Sequence, residues 1–142
     1  NKKIVVFFTC NHCPYVHAYE NRIIKMQEDF IDTVYFIGIN SNDDNKYPED
    51  SFENMKIRSN KKKYNFLYLR DDNQEVAKLY QATHTPHFFL FGTNKTLIYK
   101  GKFDDSWDDE ASVNQNYLKD AIQNKNIKLA DTFPVGCSIK WL

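Results

Sequence analysis

No stretch of this 142-residue chain stays apolar for the roughly 20 residues that cross a bilayer, so no membrane partner is expected. Neither sign of charge is in surplus. With 19 basic and 19 acidic residues, the chain has no electrostatic footprint for nucleic acid. Cysteine is scarce and odd in number. Three cysteines do not make the even framework of a disulfide-stapled secreted domain. There is no internal repeat and no low-complexity segment. What is present is a globular composition, 42% hydrophobic and 15% aromatic. It fits one domain over residues 1–142, long enough to bury roughly 68–70% of its unfolded surface. The chain opens at Asn1, almost inside an apolar run, so an upstream segment is expected. The cytoplasm is the expected compartment, with the periplasm as the alternative.

Two of the three cysteines, Cys10 and Cys13, are separated only by Asn11 and His12. A disulfide closing so small a loop adds little stability and tends to be labile, so chemistry explains the pair better than architecture does. The pair follows an apolar run at 4–8 that reads as a strand buried on both faces. From Pro14 the period changes. Val16, Tyr19, Ile23, Met26 and Phe30 mark one helical face, with the proline in the first turn. Residues 34–39 read as a second buried strand, giving a parallel βαβ unit.

Beyond it, 40–48 reads as loop, and 49–56 as a helix with Phe52 and Met55 on one face. Lys61, Lys62 and Lys63 read as a solvated helix end. Residues 66–69 suggest a strand, and 74–81 a helix capped by Asp71 and Asp72. Residues 87–91 and 96–100 suggest strands joined by a turn at 92–95. A last helix is expected at 112–124 with Val113, Tyr117, Leu118, Ala121 and Ile122 inward; Asp104, Asp105, Asp108 and Asp109 read as a solvated turn before it. The fold class is therefore α/β, a central mixed β-sheet flanked by helices. The order matches the thioredoxin-like fold with an inserted helix and strand before the β-hairpin.

A cysteine attacks as its thiolate, and a free thiol is mostly protonated at neutral pH. Unpaired N–H groups at the start of the first helix would stabilise an anion on Cys10, and an imidazolium at His12 would add to that. Cys10 is thus expected to attack, and Cys13, further in and less exposed, to resolve. A metal site of Cys10, Cys13 and His17 is the competing reading, although no second Cys-x-x-Cys completes a four-sulfur site. Thr85-Pro86 opens the strand expected to face the dithiol, and a cis bond there would leave the Thr85 backbone open to an extended substrate. His84 and His87 read as polar loop residues, His17 as partly exposed. Cys137 reads as a buried or half-buried thiol packing a C-terminal extension, with a third redox thiol as the alternative.

Cys10-Asn11-His12-Cys13-Pro14-Tyr15-Val16 with Ala18-Tyr19-Glu20 resembles the peroxiredoxin-like, redoxin or AhpC-TSA-like proteins of thioredoxin fold that carry a CxxC motif. So do residues 39–43 and 47–52, Thr85-Pro86 leading into 88–91, and the tail 136–141. The resemblance implies a thioredoxin-like fold, a redox-active Cys10–Cys13 pair and a cis Pro86. Two departures stand out. No proline precedes Thr9 in the run, as a peroxide-reactive cysteine would require, and the strand before the dithiol carries no acid. The expected activity is thiol–disulfide exchange, with Cys10, Cys13 and His12 catalytic and Thr85 and Pro86 binding substrate. No cofactor is expected. The expected partners are protein or small-molecule thiols and disulfides and an electron donor not identified by the sequence. A thiol peroxidase and a copper- or zinc-carrying metallochaperone are the alternatives.

Overall fold

The computed structural model describes residues 1–125 and 128–142. In chain order the elements are β1 (Lys3–Phe8), α1 (Pro14–Asp29), β2 (Val34–Asn40), α2 (Phe52–Lys62), β3 (Leu67–Arg70), α3 (Glu75–Tyr80), β4 (His84–Thr85), β5 (His87–Phe91), β6 (Leu97–Gly101), α4 (Tyr117–Ile122) and β7 (Cys137–Ser138). Five strands form one sheet in the order β3-β2-β1-β5-β6. β1 runs parallel to β2, and β2 to β3. β5 runs antiparallel to both β1 and β6. β4 and β7 form a separate two-residue ladder.

β1 is central because it is apolar on both faces. Val5 and Phe7 enter the core that includes Tyr19, Ile23 and Met26 of α1 and Leu118 and Ile122 of α4. Val6 and Phe8 point the other way, to Ala77 of α3 and Ile139 of the tail. The period-2 alternation of a strand thus feeds two cores from one segment. β2 departs from its expected burial at Tyr35, which is exposed.

Three helices begin or end elsewhere than their periodicity suggests, each for a local polar reason. The 49–56 helix starts instead at Phe52 and runs to Lys62, because the Ser51 hydroxyl accepts the Asn54 N–H at 3.2 Å and caps it there. That start leaves Phe52 exposed while Met55 is buried. Asp71 caps α3 by accepting from Val76 and Ala77 N–H, whereas Asp72 pairs with Arg70. The 112–124 helix shrinks to Tyr117–Ile122, preceded by a short 3-10 turn at Glu110–Ser112. Asp105 takes the Asn114 N–H at 2.9 Å, and its own N–H goes to Gln115 O, so the chain ahead of Asn116 is bound sideways. Asp104 is not solvated as expected. It is buried against Tyr19 and Arg22.

Past α4 the chain returns along the sheet. Lys100 N–H bonds Ala130 O at 3.0 Å and Thr132 N–H bonds Lys100 O at 3.0 Å. It then crosses to β4, where Cys137 pairs with Thr85. Ile139 N–H bonds Thr83 O at 3.0 Å, and Lys140 N–H bonds Asn42 Oδ1 at 2.9 Å. This tail lies over the end of the sheet at which β1 gives way to α1.

Candidate active site

Cys13 is the N-cap of α1 and Pro14 its first residue. The Cys13 carbonyl accepts the His17 N–H at 2.9 Å, the first turn of the helix. Cys10 lies three residues earlier, in the link from β1. The helix's leading end therefore begins at Cys13, three residues after Cys10. Both residues are sealed, 1% and 2% exposed, so Cys13 is not the more hidden of the two. Both are free thiols.

Thr85 touches both sulfurs. Its hydroxyl is 3.6 Å from Cys10 Sγ, and its carbonyl accepts from Cys13 Sγ at 3.5 Å. The Thr85–Pro86 bond is cis. The Thr85 backbone is not open to an outside strand, however, because Cys137 occupies that position in the β4–β7 ladder. Gly136 permits the approach: a Cβ there would lie 2.1 Å from the Thr85 carbonyl oxygen. Cys137 brings a third sulfur to the site, 2.9 Å from Cys13 Sγ.

The thiols have opposite electrostatic surroundings. Cys13 is drawn down to about 4 by hydrogen bonding with Cys10 and then with Cys137, helped by the Val16 and Cys137 N–H groups and opposed by burial. Those N–H groups favour negative charge although no cap hydrogen bond to the sulfur forms. Cys10 is pushed well above the ordinary thiol range by its bond with Cys13, by burial and by the Asp50 carboxylate. Within this hydrogen-bonded pair, negative charge is favoured on Cys13, beside the Val16 and Cys137 N–H groups, and disfavoured on Cys10, beside Asp50. Cys137 is raised to about 11, mainly by burial and by its bond with Cys13.

Asp50 is the main residue that sequence reasoning misses. It is fully buried. It accepts from Asn11 N–H at 2.7 Å, Asn40 Nδ2 at 3.2 Å and Asn42 Nδ2 at 2.9 Å. One amide that would face an anion on Cys10 is thereby taken by a carboxylate. His12 also turns to Asp50. Its Nδ1 sits 2.8 Å from Oδ2, an ion-pair distance reached without hydrogen-bond geometry, and its ring stacks on Tyr47. The expected support of a Cys10 thiolate by His12 is replaced by this pairing. The only advance signal was the polar run 40–43 at the end of an apolar strand, read as loop and found buried throughout. Tyr68 from β3 closes the ring, donating to Asn11 Oδ1 at 2.7 Å.

His17 is exposed, with Nε2 2.7 Å from Asn11 O, and joins neither thiol. His84 and His87 lie in strands rather than a loop. Burial and the neighbouring His84 and Lys100 hold His87 down to about 4, and burial lowers His84 as well. A cation has one set of donors among the described residues: one atom each from Cys10, His12 and Asp50, all within 4.8 Å of one another.

The βαβ unit, the antiparallel β5–β6 pair and a dithiol at the β1–α1 junction define a protein of thioredoxin-like fold. The solution structure of a thioredoxin-like protein in its oxidised form, 9% identical, covers 89% of this chain and 81% of its own at a TM-score of 0.72, which bears on fold alone. The chain belongs to the AhpC/TSA family, whose profile matches residues 1–100. It is similar to an uncharacterised conserved protein of Geobacillus kaustophilus, 36% identical over 99% of this chain and 78% of that one, with a TM-score of 0.88. A hypothetical protein of Sinorhizobium meliloti is 30% identical over 99% of this chain and 80% of that one, with a TM-score of 0.87. No curated protein matches.

Proposed function

We propose that the protein is a thiol–disulfide oxidoreductase working through Cys10 and Cys13. The observation that carries this reading is the pair of free thiols at the head of α1, both in contact with Thr85 of the cis Thr85–Pro86 bond. The Cys13 thiolate attacks a disulfide, forming a mixed disulfide and releasing one substrate thiolate. The Cys10 thiol then gives up its proton and attacks the Cys13 sulfur. The Cys10–Cys13 bond forms, the second substrate thiolate leaves, and two electrons have passed from the pair to the substrate. A thiol-class donor restores the pair. His12 and Asp50, with ligand atoms within 4.8 Å of Cys10 Sγ, are placed to take the Cys10 proton. Thr85 orients both sulfurs, and Pro86 sets the strand that follows.

The test is the reduction of insulin disulfides by dithiothreitol. Cys13→Ser and the Cys10→Ser/Cys13→Ser double variant are expected to fall to the uncatalysed rate. A double variant as active as the parent would end the proposal.

One observation favours a second reading. Cys10, His12 and Asp50 bring sulfur, nitrogen and oxygen donors close enough to share a zinc or copper ion. Native mass spectrometry of the reduced protein after exposure to either metal separates the readings, since redox chemistry alone retains no ion.

A further inference from the structure

We infer that Cys137 is a third redox thiol of this site, which exchanges with the Cys10–Cys13 disulfide to form a Cys13–Cys137 disulfide and so gives the pair a second, more exposed sulfur at which thiols in solvent react. The inference rests on the dithiol reading above.

Three observations carry it. The first is distance. Cys13 Sγ and Cys137 Sγ are 2.9 Å apart, and a disulfide is about 2.05 Å long, so closure needs a movement of less than about 1 Å. The second is positioning. Cys137 is held by the chain on both sides rather than carried on a loose end. Its residue pairs with Thr85, Gly136 lies flat against the Thr85 carbonyl, and Ile139 is buried in the second core. Lys140 is then bound by three partners: its N–H donates to Asn42 Oδ1, and its carbonyl accepts from Asp43 N–H at 2.8 Å and Gln74 Nε2 at 2.9 Å. The third is access. Cys10 and Cys13 are almost wholly sealed, whereas Cys137 is only half-buried. Of the three cysteines, Cys137 is the one that is not buried.

The chemistry closes without an added oxidant. Starting from the Cys10–Cys13 disulfide, Cys137 loses its proton and attacks Cys13 Sγ. The Cys13–Cys137 bond forms, the Cys10–Cys13 bond breaks, and the electron pair leaves on Cys10, which takes up a proton. No net electrons are gained or lost. The new disulfide presents the Cys137 sulfur outward. An external thiol attacks it, forms a mixed disulfide with Cys137 and expels Cys13 as a thiolate at the head of α1, where negative charge is favoured. A second external thiol releases Cys137 and leaves as half of an external disulfide. Two external thiols have then been oxidised and the three protein thiols restored.

Trypsin makes the outcome readable in the unaltered protein. Cuts after Lys3 and Arg22 leave Cys10 and Cys13 in one peptide, and cuts after Lys128 and Lys140 leave Cys137 in another. Reduced protein is oxidised with glutathione disulfide, its free thiols are alkylated, and the peptides are mapped without reduction. The expected result is peptide 4–22 joined to peptide 129–140 through Cys13. A disulfide confined to 4–22, with Cys137 alkylated, overturns the inference. In Cys10→Ser the expected product is the Cys13–Cys137 disulfide with glutathione released, and a lasting glutathione adduct on Cys13 beside an alkylated Cys137 overturns it again. Cys137→Ser distinguishes the two levels. If it still closes Cys10–Cys13 while the parent shows no joined peptide, only the relay is lost; if it closes nothing, the dithiol reading falls and the relay with it.

Discussion

Along the flank of α1, the buried carboxylates of Glu20 and Asp104 are each paired with a guanidinium, while at its head the buried carboxylate of Asp50 is paired with none among the described residues, Arg70 reaching only its backbone carbonyl at 3.1 Å. Arg58 grips Glu20 through two nitrogens, and Tyr64 adds its hydroxyl. Arg22 gives Asp104 a 2.9 Å bond and spends its other N–H groups on the carbonyls of Ser106 and Trp107. Asp50 is held instead by a backbone N–H, two asparagine amides and His12. The arginine-paired carboxylates lock helices and loops, and, after burial, each also raises the tyrosine it touches, Asp104 acting on Tyr19 and Glu20 on Tyr64. The Asp50 carboxylate, held by amides and an imidazole, acts instead on a thiol: with the Cys13 bond and burial it raises Cys10. The same helix thus uses one kind of buried charge as structure and another as chemistry.

Removing a flank cation should give the largest effect. Arg22→Met leaves Asp104 buried with only Tyr19 Oη and Ser106 N–H as partners. The expected loss is about 3–5 kcal/mol of folding stability, because an uncompensated buried charge remains. Exchange activity per folded molecule should hold. Denaturant unfolding together with insulin turnover checks both, and a selective loss of activity would break the distinction between flank and head.

At the head, pH should matter more than any one contact. The folded value of Cys13, about 4, lies below the ordinary thiol's 9.0. Between those values the folded protein holds one proton fewer than the unfolded chain. The stability due to this group is therefore complete above about pH 9 and is lost as pH falls toward 4. Cys10, shifted the other way, opposes folding only above about pH 9, where the unfolded chain releases a proton that the folded one keeps. Reduced parent protein should gain stability over Cys13→Ser between about pH 5 and pH 8. Parallel pH curves for the two proteins would take the thiolate away from Cys13.

Asp50→Asn should do the reverse of Arg22→Met. The expected fold cost is smaller, about 1–3 kcal/mol, since an amide oxygen can still accept from Asn11 N–H while one amide donor meets the Asn40 or Asn42 amide. The Cys10 thiol should ionise at lower pH, because the carboxylate that opposes its anion is gone. The pH dependence of Cys10 alkylation in a Cys13→Ser background reads this directly. An unchanged profile would mean that Asp50 shapes the loop and does not act on the sulfur.

The parts of this arrangement that short-range pattern controls were legible beforehand. β1, α1 and β2 follow from apolar runs and helical spacing, and the dithiol's place between β1 and α1 follows from them. What escaped depends on partners far along the chain. Asn40 and Asn42 look like turn chemistry, and Asp50 like an acid in a helix's first turn, until Asn11 and Arg70 reach them. Cys137 is 124 residues from Cys13, and only the fold brings their sulfurs together. The surroundings of the two thiols also escaped, for a narrower reason. The helix begins at Pro14, so its N-terminal field centres on Cys13, and Asp50 claims the amide that would have served Cys10.

The smallest expected effect tests how far the head depends on the inserted segment. Tyr68 sits on β3, outside the βαβ unit, yet its hydroxyl donates to Asn11 Oδ1 at 2.7 Å and accepts from Asn40 Nδ2 at 3.2 Å. Asn11 lies between the two cysteines; its Nδ2 also bonds Glu49 O, its N–H bonds Asp50 and its carbonyl meets His17 Nε2. Tyr68→Phe keeps the ring packed against Tyr64 and removes only the hydroxyl, so the expected cost is about 1 kcal/mol. Felt entirely at the sulfurs, that amount would slow exchange by about fivefold. Denaturant unfolding and insulin turnover measured on one preparation separate the two destinations. A stability loss with unchanged turnover means that Glu49, Asp50 and His17 alone hold the dithiol loop. A turnover loss with unchanged stability means that β3 tunes the thiols, and the division of α1 into a structural flank and a chemical head would then extend into the insertion.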